Sequence, residues 1–251
     1  MQVQVGKLTE QYIGHCLTQT RDVILLHGLF GNLSNWKETQ QHLSVTHRVF
    51  SPELPLFETT VGGNHLGRLV GFLECYINLN QIKNPVLIGN SLGGHVALLY
   101  TLKYPDRVSK LVLTGSSGLY ENTFGGTFPR VKDYDYIRSK VSEVFDRKEV
   151  VDNAMVDYVF DIVKHKLKVL SIIGLARDAQ KQNLASHLPH IQIPVLLIWG
   201  LQDIVTPPAV ANEFNALLPN ATLHYINECG HAPMMEQPAL FNRYVADFLA
   251  A

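Results

Sequence analysis

The chain has 251 residues, of which 46% are hydrophobic and 17% charged, enough apolar material for a full-sized core. Lys plus Arg total 21 against 22 Asp plus Glu, a formal net charge of -1. With no basic stripe or acidic tail, neither nucleic acid nor an anionic membrane is an implied partner. The three cysteines, Cys16, Cys75 and Cys229, are widely spaced and odd in number. They make neither a disulfide framework nor a zinc motif and fit a reducing, cytoplasmic setting.

No basic segment followed by an apolar one opens the chain, so no signal peptide is expected. Residues 1–18 alternate loosely and read as an antiparallel hairpin at a sheet edge. Beyond them, short apolar runs alternate with helical patterns. Val23 to Leu26 precedes a helix over Trp36 to Leu43, and Arg48 to Phe50 precedes one over His65 to Leu79. Val86 to Ile88 precedes Leu92 to Lys103, while Leu111 to Leu113 leads into a loop. Val195 to Ile198 precedes Val210 to Leu218, and Leu223 to Ile226 precedes Leu240 to Leu249. Runs this short suit strands buried on both faces, with right-handed helical crossovers between them. The expected fold is therefore α/β, a mostly parallel sheet with helices on both sides.

The rhythm breaks between about Gly118 and His190, where charge rises and apolar residues fall at helical spacing (Val141, Val144 and Phe145, then Met155, Val156, Val159, Phe160 and Val163). Roughly seventy residues is too long for a plain loop, so a helical lid between two strands is expected. The apolar cap residues, including Tyr134, Tyr136, Phe145, Met155 and Phe160, are read first as core packing. The uncharged stretch from Asn84 to Leu102 approaches a membrane span in length, but Pro85, Asn90, Ser91, Gly93, Gly94 and His95 interrupt it. It reads instead as strand, tight turn and helix.

That turn is Gly89-Asn90-Ser91-Leu92-Gly93, a Gly-x-Ser-x-Gly between a buried strand and a helix. A turn this sharp forces its central residue into a strained conformation, and glycines on either side remove Cβ atoms that would collide across it. Ser91 then projects above the strand end as a candidate nucleophile. A serine hydroxyl needs a base, and among 11 histidines His231 stands out, in the loop between the last strand and the final helix. His27 and His95 read as packing or backbone-bonded. His187 and His190 lack the carboxylate and cysteine company of a metal site, and no cofactor is expected. Asp203, just past the Val195 strand, is the candidate acid because active sites gather beyond the strands' carboxyl ends. Glu121, after the Leu111 strand, is the weaker alternative. Cys229 reads as a small buried residue rather than a thiol nucleophile. Main-chain donors for a developing oxyanion would come from Leu92, behind the nucleophile, and from Leu29 in His27-Gly28-Leu29-Phe30-Gly31.

The order Ser91, Asp203, His231 and the four motifs together resemble the α/β-hydrolase superfamily. The resemblance spans nearly the whole chain and implies a hydrolase core over residues 1–118 and 191–251, with 119–190 as a helical cap. Gly-Asn-Ser-Leu-Gly-Gly is similar to the meta-cleavage product hydrolases, which split carbon–carbon bonds and carry a cap arginine against the substrate carboxylate. Arg177 is the counterpart by position, and a solvated helix charge is the alternative. Phe30, Asn90 and Arg177 are thus the candidate substrate contacts. Two departures stand out: Ala232 follows His231 where that subfamily has Trp, and Pro52-Glu53-Leu54-Pro55 replaces Asp-x-Pro-Gly. The expectation is a cytoplasmic serine hydrolase, monomer or homodimer, acting on a small, largely apolar ester. Carbon–carbon hydrolysis and a non-catalytic ligand-binding role are the alternatives.

Overall fold

The computed structural model describes residues 21–58, 64–122 and 132–251. The hairpin expected over residues 1–18 lies outside them. Among the described residues six strands, β1 (Asp22–Leu26), β2 (Arg48–Phe50), β3 (Val86–Asn90), β4 (Lys110–Thr114), β5 (Val195–Gly200) and β6 (Ala221–Ile226), form one sheet in the order β2-β1-β3-β4-β5-β6. All five pairings are parallel. From β1 to β2 the chain steps one way across the sheet, and β3 then returns to the other side of β1. The loops leaving β1 and β3 therefore part at the sheet's carboxyl edge. A crevice opens at this kind of reversal in open α/β sheets.

Successive strand side chains point to opposite faces, which sorts the core into two layers. Ile24, Leu26, Leu87, Leu111, Leu113, Leu197 and Trp199 pack beneath α2 (His65–Leu79), α3 (Leu92–Lys103) and α7 (Pro208–Leu217). Val23, Leu25, Val86, Ile88, Val112, Leu196 and Ile198 pack on the other face against α1 (Lys37–Leu43) and α9 (Pro238–Ala250), with Trp36, Phe241 and Val245 filling the layer. Each such side chain, nearly all wholly buried, stabilises the fold by about 1.5–3 kcal/mol. Along the β1–β2 edge Arg48 holds Asp22 through two 2.6 Å bonds, reinforcing a register in which the two residues are direct partners.

Between β4 and β5 the described residues include three α-helices, α4 (Tyr134–Glu143), α5 (Asn153–Lys164) and α6 (Lys166–Lys181), as the helical spacing predicted. Asp133 and Asp152 cap α4 and α5 by accepting from backbone N–H groups in the first turn. Ile137 with Val156, Val159 and Val163 forms a small apolar centre within this insert, and Tyr134, Tyr136 and Phe160 pack around it. Those aromatics are packing residues, as expected. Phe145 behaves differently: it leaves the insert's own centre and seats in the core layer under α9. A short helix, α8 (Pro233–Glu236), follows the histidine loop and has no counterpart in the expected elements.

Candidate active site

Ser91 sits between β3 and α3 with φ 53° and ψ -121°, a conformation that L-residues avoid. The flanking glycines explain how it is held there. A Cβ on Gly93 would lie 2.1 Å from the Leu26 carbonyl oxygen, and one on Gly89 would lie 2.5 Å from the Gly94 nitrogen. These obstacles are backbone, so neither can move aside. Gly93→Ala is therefore expected to drive α3 away from β1 and to cost about 4 kcal/mol or more. Thermal unfolding of the variant beside Gly71→Ala, whose added Cβ meets nothing within 4 Å, measures this directly.

The Ser91 amide donates to the Thr114 carbonyl, and the Ser91 carbonyl accepts from Gly94, His95 and Ser117. The turn is thus fixed from both α3 and the loop after β4. Ser91 itself is only half-buried, which leaves its hydroxyl reachable. The loop after β1 runs beside it: a Cβ on Gly28 would be 3.2 Å from Ser91 Cβ, so only glycine allows this approach without displacement. Leu29, which follows Gly28, and Leu92, which follows Ser91, are each the next residue after this close approach.

His27 fixes that loop. Its Nδ1 is 2.9 Å from the Gly28 carbonyl, and its Nε2 accepts from the Leu54 amide at 3.0 Å. The two bonds require one tautomer, with the proton on Nδ1. Burial pushes the ring's pKa down to about 4, the Gly28 carbonyl opposing only in part, so it stays neutral. His27 is backbone-bonded, as the sequence predicted. His95 is wholly buried in α3 with neither ring nitrogen bonded among the described residues, and burial likewise lowers it to about 4.

His231 and Asp203 meet. His231 Nδ1 lies 2.9 Å from Asp203 Oδ2, with the carboxylate side chain fully buried. Asp203 also accepts from the amides of Val205 and Thr206 and from the Thr206 hydroxyl, so its orientation is set by its own turn. Burial alone would lower the His231 pKa. Asp203, and beyond it Glu121 and Glu236, more than offset this and the net direction is upward. Glu121, the alternative acid, does not bond the imidazole. Burial raises its own pKa, with His231 opposing. Burial beside Glu236 and Asp203 also raises Cys229, which leaves no reactive thiolate.

Two contacts bring the histidine to the carboxyl ends of β3 and β4. A Cβ on Gly115 would be 2.8 Å from His231 Nδ1, so the imidazole lies on the glycine that follows Thr114. Asn90 Nδ2 donates to both the Thr114 and His231 carbonyls at 3.0 Å, tying the residue before Ser91 to the histidine loop. In this conformation no hydrogen bond joins Ser91 Oγ to His231 among the described residues. Such contacts are often long without substrate and tighten on binding.

A family model described as alpha/beta hydrolase fold matches residues 23–238. The chain belongs to this family. An alpha/beta hydrolase enzyme from the metagenome of lagoon sediments at Mar Chica, Morocco, is 33% identical, with a TM-score of 0.78 over 99% of this chain and 97% of that one. A 2-hydroxy-6-oxononadienedioate/2-hydroxy-6-oxononatrienedioate hydrolase from Cupriavidus pinatubonensis is 27% identical over 90% of this chain and 86% of its own length. A monoacylglycerol lipase from Mus musculus is 25% identical, over 91% and 75%. The curated relatives are thus named for different chemistries. No described helix is long and apolar enough to cross a membrane.

The three candidate substrate contacts fare differently within this alpha/beta hydrolase site. Asn90 is buried, and its amide nitrogen is spent on two carbonyls, bracing the turn. Phe30 packs against the insert's apolar centre, bridging the loop after β1 to α4 and α5. Arg177 is exposed on α6, two residues from the buried Leu175 and so on the opposite side of the helix, and makes no hydrogen bond or ion pair among the described residues. It is a solvated helix charge here. The buried face of α6 is Ile172, Leu175 and Ala179.

Proposed function

We propose that this chain hydrolyses small, largely apolar esters or related acyl compounds through Ser91, His231 and Asp203. The observation that carries the reading is the buried 2.9 Å contact between His231 and Asp203, on a loop tied by Asn90 to the strained serine turn. His231 Nε2 takes the Ser91 proton as Oγ attacks the carbonyl. Asp203 holds the proton of Nδ1 and stabilises the imidazolium, while the Leu29 and Leu92 amides receive the oxyanion. Collapse of the tetrahedral adduct expels the alcohol, protonated by His231, and leaves an acyl group on Ser91. Water deprotonated by His231 then releases the acid. Residues 119–190 act as a cap over this site, with Phe30 at the junction.

One feature favours a neutral substrate over a carboxylate-bearing one: Arg177, the candidate carboxylate contact, is exposed on the side of α6 away from its buried face. The relatives named as hydroxy-oxo-dienoate hydrolases support the second reading, carbon–carbon hydrolysis by the same three residues. Turnover of p-nitrophenyl butyrate compared with a 2-hydroxy-6-oxo-dienoate ring-fission product decides between them. Faster ester turnover is expected. Faster ring-fission turnover, lost in Arg177→Ala, would overturn the ester reading. Failure of a fluorophosphonate to label Ser91 would instead favour a ligand-binding protein without catalysis.

A further inference from the structure

Glu236 is 3% exposed, carries a carboxylate, and forms no ion pair among the described residues. Arg147, nearby, pairs with Glu228 instead. What surrounds Glu236 is a set of four backbone N–H groups from two distant parts of the chain. Oε2 accepts from Asp146 at 2.8 Å and from Arg147 at 3.0 Å, separated from it by 90 and 89 residues. Gly230 donates to both oxygens at 3.0 Å, and Ala232 donates to Oε1 at 3.3 Å. The first pair of donors lies just beyond α4, in the insert. The second pair flanks His231 on both sides.

Other contacts close the same junction. The His231 amide donates to the Val144 carbonyl at 2.9 Å. Gly230 is wedged between two backbones: a Cβ on it would lie 2.6 Å from the Val144 oxygen, and a Cβ on Gly200 would lie 2.1 Å from the Gly230 oxygen. Phe145 shares a core layer with Ala232 and Met234. The base loop is therefore held on one side by β5 and on the other by the end of α4.

We propose that Glu236 is a positioning residue that aims His231 by locking its loop to the end of α4, making the helical insert part of the base's support. The inference rests on the Ser91, His231 and Asp203 reading above. Orienting the peptide planes at Gly230 and Ala232 sets where the imidazole hangs, and a misplacement of about 1 Å in a catalytic group can cost on the order of a hundredfold in rate. A carboxylate suits the task because both oxygens only accept. An amide would turn an N–H₂ group toward N–H donors. The charged groups facing His231 are Asp203, Glu121 and Glu236. Those around Glu236 and its neighbour Cys229 include Asp146 and Arg147, with Glu228 on Arg147.

The test measures kcat, KM and the pH profile of kcat/KM on p-nitrophenyl butyrate, below the melting temperature of each variant. Glu236→Gln should lower kcat by roughly 10- to 100-fold with KM within about twofold. Its acid limb should move to lower pH, because a negative charge near His231 is gone. Glu236→Asp keeps the charge and should leave the acid limb in place with an intermediate kcat. Gly230→Ala, wedging the loop from Val144, should lose kcat without moving the limb. Val245→Ala, in the core layer under α9, should lower the melting temperature and leave all three kinetic readouts unchanged. Glu236 variants that behave like Val245→Ala would overturn the positioning role. If Glu236→Gln does not fold, unchanged kcat in both Glu236→Asp and Gly230→Ala would overturn it equally. An inactive Ser91→Ala alongside wild-type-like Glu236 variants sinks this inference alone, whereas an active Ser91→Ala sinks both it and the reading beneath it.

Discussion

Ser91→Ala is expected to cut p-nitrophenyl butyrate turnover by roughly four to six orders of magnitude. Without Oγ no acyl-enzyme forms, and only binding and amide donors remain to help water attack. The backbone makes a second variant informative. Ser91 holds φ 53°, which costs an L-residue on the order of 1–3 kcal/mol and costs glycine little. Ser91→Gly should therefore be as inactive as Ser91→Ala yet melt at a higher temperature than it. Steady-state rates with differential scanning calorimetry check both halves. Residual activity above about one per cent of wild type in a clean preparation of either variant would remove Ser91 from the mechanism.

Asp203→Asn is expected to lower kcat by about four orders of magnitude while the protein stays folded. Asp203 Oδ1 accepts from Val205 and Thr206 amides, and an asparagine oxygen can keep those bonds. The amide nitrogen then replaces Oδ2 and points a donor at His231 Nδ1. The imidazole must answer with an acceptor there, which puts its proton on Nε2, where the serine proton would have to go. The pH dependence has a definite sign. Asp203 is the main group raising the His231 pKa against burial, and activity needs the neutral imidazole. In the wild type the acid limb of kcat/KM should lie above the ordinary imidazole value, and in Asp203→Asn it should fall to lower pH. In stability terms the pair favours the fold fully below the unfolded histidine pKa, and that contribution fades as pH rises through the elevated folded value. A limb that stays in place would mean that Asp203 does not face the base.

Much of this site is legible before folding because the decisive constraints are local. Gly89, Ser91 and Gly93 lie within one turn, and the collisions that require glycine involve Gly94 and the adjacent strand end at Leu26. His27 is readable as backbone-bonded because it ends a buried strand and its Nδ1 partner is the next residue. The histidine loop and Asp203 are legible by a weaker argument, from their places after β6 and β5. The expected strands and helices match the sheet and its crossovers, since fully apolar runs such as Val195 to Ile198 admit little else between helices. The extra turn at Pro233–Glu236 escapes because four residues carry no periodicity.

Other residues could be assigned only in three dimensions. Asp203 and Glu121 both follow strands at the same sheet edge, and which one meets His231 is a relation through space. Asn90 looks like a substrate contact in a linear motif, and only the folded chain reveals that its amide nitrogen braces the turn. Arg177 is exposed on α6 opposite the buried Leu175, a placement that the residue order does not fix. No motif singles out Glu236. Its four donors belong to loops brought together by β5, α4 and α8, and backbone N–H groups leave no mark in side-chain pattern. By itself, then, the amino-acid order determined the alternating layers and the strained serine turn, because steric exclusion and hydrophobic burial act between near neighbours. Tertiary packing alone decided that Asp203 rather than Glu121 meets His231 and that four backbone amides gather on Glu236, because the water-free surroundings that make a buried carboxylate effective exist only once remote segments close around it.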